Sequence, residues 1–147
     1  MATFLLTWNT HRWTIGDDIY AADVALTASG GIAHGQWSTG NRSKGIEPGD
    51  WVFLVRQGTE RGIVCAGIAT SGVFLDHHWD ENRDDLAHYV ATDWSVMLDI
   101  DDRLPIEHLL RDLPQVPWNN LYGSGVRAPE AQSASRAFVK VAMPQGS

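Results

Sequence analysis

Apolar residues come in short runs, punctuated by glycine, asparagine and aspartate, and their spacing changes along the chain. Thr3-Phe4-Leu5-Leu6-Thr7-Trp8 is continuous, too short for a helix and closed by Asn9-Thr10-His11-Arg12, so it predicts a buried strand over residues 3–8. Residues 16–29 predict a helix. Asp17 and Asp18 suit its positively polarised start and Gly30-Gly31 stops it, although Ile19, Val24 and Leu26 with the alanines give only a fair apolar face. Gly35-Gln36-Trp37-Ser38 reads as a strand end leading into the loop 39–45, and Glu47-Pro48-Gly49-Asp50 as a turn. Two strands rich in β-branched and aromatic residues follow, 51–56 and 62–75. A turn over 57–62 separates them, and glycines in the second suggest bulges or bends.

The second half opens with an acidic loop, 76–85, before a strand over 88–98. Ile106, Leu109, Leu110 and Leu113 have helical spacing and Pro105 suits the first turn, so 105–113 predicts a second helix. Pro, Asn and Gly make 114–125 a loop. From Pro129 onward a C-terminal helix is expected, with Ala131, Ala134 and Phe138 on one side. Short strands with helices near both ends predict an α+β domain around a curved sheet or barrel, with no internal repeat or linker.

Length and composition narrow the class. A chain of 147 residues with 44% hydrophobic and 20% charged side chains suits one globular domain that buries its own core. The single cysteine, Cys65, rules out an internal disulfide and the multi-cysteine zinc patterns. No stretch reaches the ~18 apolar residues of a membrane span, and the first residues turn polar too early for a signal peptide. A cytoplasmic location is expected.

The net charge of −7 argues against a nucleic-acid partner until its distribution is counted. Residues 76–112 hold 11 Asp and Glu against 3 Arg, a net of −8; the rest holds 7 acids and 8 bases, a net of +1. Without a basic stripe, sequence-independent DNA affinity is weak, because phosphate neutralisation supplies most of it. A nucleic-acid role must then rest on a pocket.

Chemistry for catalysis is sparse. None of the six histidines forms the i, i+4 pair of a metalloprotease helix, and adjacent His77 and His78 point apart in extended chain, so neither a metal nor another cofactor is expected. Cys65 sits in Ile63-Val64-Cys65-Ala66-Gly67, where a thiol behaves as a small hydrophobe. No nucleophile elbow or phosphate-binding loop is present. Binding parts are better represented. Of 7 tryptophans, Trp51 and Trp94 look like core, whereas Trp8, Trp13, Trp37, Trp79 and Trp118 stand among polar residues typical of strand ends and loops, suited to stacking. Trp37-Ser38-Thr39-Gly40-Asn41-Arg42, Arg56-Gln57-Gly58 and Trp118-Asn119-Asn120 with Ser124-Gly125-Val126-Arg127 combine rings, amides, hydroxyls and guanidinium forks. Those are the parts that hold an extruded base, although Arg56 and Arg127 would serve equally as partners for surface carboxylates.

Phe4-Leu5-Leu6-Thr7-Trp8-Asn9 with Arg12-Trp13, the run from Gly35 to Arg42, Gly49-Asp50 to Gly58, Arg61-Gly62, His78-Trp79-Asp80, and Trp118-Asn119 with Ser124 to Arg127 resemble EVE-like domains of the PUA superfamily. The version they are most similar to is joined to HNH nucleases in modification-dependent (type IV) restriction enzymes. The resemblance implies one domain over 1–147, a PUA-like twisted β-barrel flanked by short helices, that accepts a flipped base. In the related YTH domains one tryptophan of an aromatic cage for N6-methyladenine lies in a Trp-Ser/Cys motif, which Trp37-Ser38 matches, and a second lies in the loop where Trp79 falls. Carried over, Trp37 and Trp79 sandwich the base with Trp8 nearby, Ser38 and Asn9 contact its edge, and Asn41, Arg42, Arg56, Gln57, Ser124 and Arg127 hold the backbone. The nuclease-linked relatives favour 5-methylcytosine or 5-hydroxymethylcytosine in double-stranded DNA. No HNH motif is present, so the expectation is a non-enzymatic reader, with any nuclease in a separate HNH domain. The alternatives are a reader of modified RNA and a sensor of free modified nucleosides.

Overall fold

The computed structural model describes residues 2–11, 15–121 and 123–128. Eight strands, β1 (Thr3–Asn9), β2 (Ala33–Gly40), β3 (Trp51–Gln57), β4 (Gly62–Ala69), β5 (Phe74–His77), β6 (Leu86–Met97), β7 (Leu104–Pro105) and β8 (Val126–Arg127), join two helices, α1 (Asp17–Ala28) and α2 (Ile106–Asp112). The strands form one sheet in the order β2-β6-β4-β3-β1-β8, with β5 beside β6 and β7 beside β4. Every pairing is antiparallel except β1 with β3, which runs parallel from Thr3 opposite Trp51 to Asn9 opposite Gln57. The result is a curled, mixed half-barrel with two short helices, consistent with an α+β twisted barrel.

The continuous apolar runs have a simple cause: the central strands are covered on both faces. Phe4, Leu6, Trp8, Val52, Leu54, Val64 and Cys65 point to one side, where they meet Tyr20 of α1, Val90 and Trp94. Leu5, Phe53, Val55 and Ile63 point to the other, against Ile106 and Leu109 of α2, Leu113 and Trp118. Alternation along each strand therefore separates two cores instead of a core from water.

Curvature comes from β4 and β6. A Cβ on Gly67 would stand 2.0 Å from the carbonyl oxygen of Asp93, so glycine alone permits the bulge between Ala66 and Gly67. The strand expected over 62–75 is two strands, β4 and β5. At the break the Ser71 hydroxyl accepts from the Ala91 N–H at 2.9 Å, standing in for a ladder carbonyl. β6 continues past the break, pairing with β4 through Thr92–Met97 and with β5 through Leu86–Tyr89.

The helix expected over 16–29 is present. Gly30 adopts a left-handed φ of 91°, and the Gly31 N–H returns to the Leu26 carbonyl at 2.9 Å, closing the C-terminus. The weak apolar face leaves Ile19 and Leu26 exposed. Hydroxyls make up for it: Tyr20 donates to the Leu98 carbonyl at 2.5 Å, and Thr27 accepts from the Met97 N–H at 3.1 Å, so α1 is fastened to the end of β6. Pro105, expected in the first turn, stands one residue before α2 at the N-cap position and makes no side-chain capping bond. The C-terminal helix expected from Pro129 lies outside the described residues.

Trp118 corrects the sequence reading. Its polar neighbours suggested a loop-mouth ring, but it is fully buried against α2 and its indole N–H donates to the Leu113 carbonyl at 3.0 Å. The 114–125 segment is a loop that turns inward, with a 3-10 turn over Trp118–Asn120 carrying the plug. Trp94 is buried as expected, while Trp51 is half-buried. Replacing Trp118 with alanine should cost about 3–5 kcal/mol, as for other large-to-small changes in packed cores, read as a lowered midpoint in urea denaturation monitored by circular dichroism.

Candidate functional site

Parallel register sets Trp8 opposite Arg56 at the ends of β1 and β3. The guanidinium carbon of Arg56 stands 5.0 Å from the centre of the Trp8 ring, within range of a cation–π contact. Arg56 is only 7% exposed; its Nε donates to the Thr59 carbonyl at 3.0 Å and its Nη2 lies 3.8 Å from the Glu60 carboxylate. Glu60 takes a left-handed φ of 52° to hold that place in the β3–β4 turn. Such strain in a non-glycine residue costs on the order of 1–3 kcal/mol and marks a position that its surroundings dictate.

Trp8 also tilts against Tyr20, ring centres 6.0 Å apart, and receives the edge of Trp37 at 6.4 Å. Between these rings and α1 lies a cavity of about 720 Å³, within the size range of small-molecule sites. Trp8, Tyr20, Ile15, Val24 and the alanines Ala21 and Ala25 form its apolar wall; Thr10, His11, Asp17, Arg56, Thr59 and Asp99 supply polar groups. Asp17 belongs to the first turn of α1, and Asp99 caps a 3-10 turn over Ile100–Asp102. Hence one aromatic wall, one guanidinium and two carboxylates face a single opening.

Of the residues singled out by sequence, Trp8 and Arg56 line this cavity. Trp37 stands behind Trp8, half-buried, and its indole N–H donates to the Thr7 carbonyl at 3.0 Å, tying β2 to β1. Trp79 lies beyond β5, with its ring centre 4.9 Å from that of His78. No ring contact joins it to Trp37 among the described residues. The other polar residues serve local structure. The Ser38 hydroxyl accepts from the Gly40 N–H at 3.1 Å, the Asn9 amide oxygen from the His11 N–H at 3.0 Å, and the Ser124 hydroxyl from the Thr7 N–H at 3.0 Å. Gln57 accepts from Arg61 at 3.2 Å. Arg42 covers the Phe4 ring at 4.9 Å and donates to the Gly125 carbonyl, pinning the 40–45 loop against the segment before β8. Asn41 and Arg127 are exposed. Trp13 lies outside the described residues.

Tyr20, Thr10, His11, Thr59 and Asp99 are cavity residues that the sequence reading did not select. Tyr20 was legible as a helix residue three places after Asp17; nothing in the sequence brings residue 99 to it. No group of three or more His, Cys, Asp or Glu residues suited to a metal is found among the described residues. No described helix is long and apolar enough to cross a membrane. The chain matches no protein-family model, no curated protein and no solved structure.

At the cavity wall and in the core behind it, burial pushes the Tyr20 hydroxyl and the Cys65 thiol well above their ordinary ranges, and their proximity adds to the shift of Tyr20. A folded-state pKa that is raised means stability is fully present below the unfolded pKa and is lost as pH climbs beyond it. The thiol's contribution to stability should therefore be constant to about pH 8.5 and then fall by about 1.4 kcal/mol per pH unit, with the phenol adding its share above pH ~10. Urea midpoints from pH 7 to 10.5 measure this, and Cys65→Ala should remove the fall between pH 8.5 and 10. In the native state Cys65 should resist aromatic disulfide reagents at pH 8.

Proposed function

We propose that this domain is a DNA-binding reader that recognises a modified cytosine, 5-methylcytosine or 5-hydroxymethylcytosine, by receiving the flipped base in the cavity between Trp8 and α1. The observation that carries this reading is the cavity itself: an open space of about 720 Å³ walled by indole and phenol rings, with hydrogen-bonding groups at its margin. A planar base gains roughly 1–3 kcal/mol by stacking on such a ring, and donors and acceptors at the edge distinguish one base from another. The resemblance to EVE-like domains of the PUA superfamily points the same way, as does the curled sheet. In this reading Trp8 is the stacking ring, Trp37 backs it, and Arg56 belongs to the base pocket. The exposed Arg127, Asn41 and Lys44 are left for phosphate. The specificity module of a modification-dependent restriction system, paired with an HNH nuclease, is the setting this implies.

One observation favours a second reading. Asp17 and Asp99 put two carboxylates at the cavity against the one guanidinium of Arg56, and the whole chain carries −7. That balance suits an uncharged nucleoside better than a polyanion, so a sensor of free modified nucleosides is the alternative.

Gel-shift titration of duplexes bearing 5-methylcytosine, 5-hydroxymethylcytosine or plain cytosine separates these ideas. The modified duplexes should bind at least tenfold more tightly. Ala21→Trp, which fills the cavity from an exposed position on α1, should abolish the difference while leaving the melting temperature near that of the parent. Equal binding to all three duplexes sinks the DNA reading, and thermal stabilisation by free modified nucleosides would then support the sensor. Retention of binding by Ala21→Trp together with its loss in Trp79→Ala would move the base to a slot between Trp37 and Trp79. Single-stranded RNA outcompeting duplex DNA would turn the assignment to modified RNA.

A further inference from the structure

We propose that Asp99 is the specificity-determining residue of this cavity, accepting a hydrogen bond from an exocyclic amino group so that a cytosine-type base is admitted and a uracil- or thymine-type base is refused. The inference rests on the base-reading function above and deepens it. Asp99 lines the cavity together with Trp8, Tyr20 and Arg56. One of its carboxylate oxygens accepts from the Ile100 N–H at 2.8 Å, which fixes the side chain as the cap of its own 3-10 turn. The second oxygen takes no hydrogen bond among the described residues. Leu98, the residue before it, holds the Tyr20 hydroxyl through its carbonyl, so the acceptor sits where the phenol of the aromatic wall ends.

The chemistry of the bases makes this placement selective. An ionised carboxylate only accepts hydrogen bonds, whereas the Arg56 guanidinium only donates. Cytosine presents an amino donor at C4 next to acceptors at N3 and O2, so it satisfies a carboxylate and a guanidinium together. Uracil and thymine carry their donor at N3 and present a carbonyl at C4, so a base seated with C4 toward Asp99 turns an oxygen to the carboxylate. That oxygen against a carboxylate leaves both acceptors without a proton, and a site built to bond a donor rejects the analogue lacking it. The same two carboxylates, Asp17 and Asp99, disfavour a phosphate in the cavity, which leaves the opening to the base. A group attached at C5 does not alter the C4 pattern, so the amino requirement is separate from recognition of the modification.

The test compares the full chain with Asp99→Asn on oligodeoxynucleotides carrying one 5-hydroxymethylcytosine or one 5-hydroxymethyluracil opposite an abasic position. The cost of unpairing is then the same for both. Fluorescence anisotropy should show the parent binding the cytosine form at least tenfold more tightly. In Asp99→Asn the amide oxygen keeps the Ile100 N–H and the NH2 takes the place of the free oxygen, turning an acceptor into a donor. The preference should fall at least tenfold, to unity or below. Asp99→Ser keeps a cap acceptor and leaves the second position empty; its ratio should be near one, which preserves the test if the amide variant folds poorly. An unchanged ratio in both variants, with the parent still preferring modified over plain DNA, overturns the role of Asp99 and leaves the reader standing. If the parent does not distinguish the modified oligodeoxynucleotides from an unmodified one, the reader falls and the role of Asp99 falls with it.

Discussion

Trp8 and Arg56 face one another because β1 runs parallel to β3 through an unbroken seven-residue register. Nearly everything at the cavity follows from that pairing. A shift of one residue would exchange the two cores, sending Trp8 toward α2 and Leu5 toward α1. It would also leave the guanidinium of Arg56 buried without its ring. The register is secured from both sides, since Leu5 and Phe53 pack under α2 while Leu6, Val52 and Leu54 pack under α1. The site is thus placed by burial on both faces of the sheet, and its polar groups secure only the segments next to it: α1 through Tyr20, the β3–β4 turn through Arg56 and the 3-10 turn through Asp99.

Much of the strand content was legible because the apolar runs are short, β-branched and bounded by turn residues; 3–8, 51–56 and 88–98 map onto β1, β3 and β6 within two residues. Helix α1 was legible from its ends rather than its face, since Asp17, Asp18 and Gly30-Gly31 mark its limits. What the sequence hid was non-local. Nothing in residues 3–9 says that their neighbour is a parallel strand some 50 positions later. The apolar run that became β4 and β5 hides its break because Ser71 replaces the missing backbone partner. The burial of Trp118 is hidden because polar neighbours describe the chain around a residue and not the direction of its ring.

The candidate site was legible in part for the same reason. Trp8 and Arg56 stand out in the sequence by their chemistry, and strand pairing brings them together. In the sequence Asp99 is merely one acid in the excess over 76–112. The structure divides that excess: the acids of the 78–85 connection stand away from the cavity, while Asp99 borders it beside the aromatic wall. Net charge summed over a segment could not show that one of its carboxylates belongs to a pocket.

The attachment of α1 has a consequence for the mouth of the cavity. Helix α1 is held by the Tyr20 and Thr27 hydroxyls and by Tyr20 and Val24 packed against the sheet, while Ile19 and Leu26 stand in water. Because this helix forms one side of the cavity, the contacts that hold it to the sheet also set how wide the entrance is.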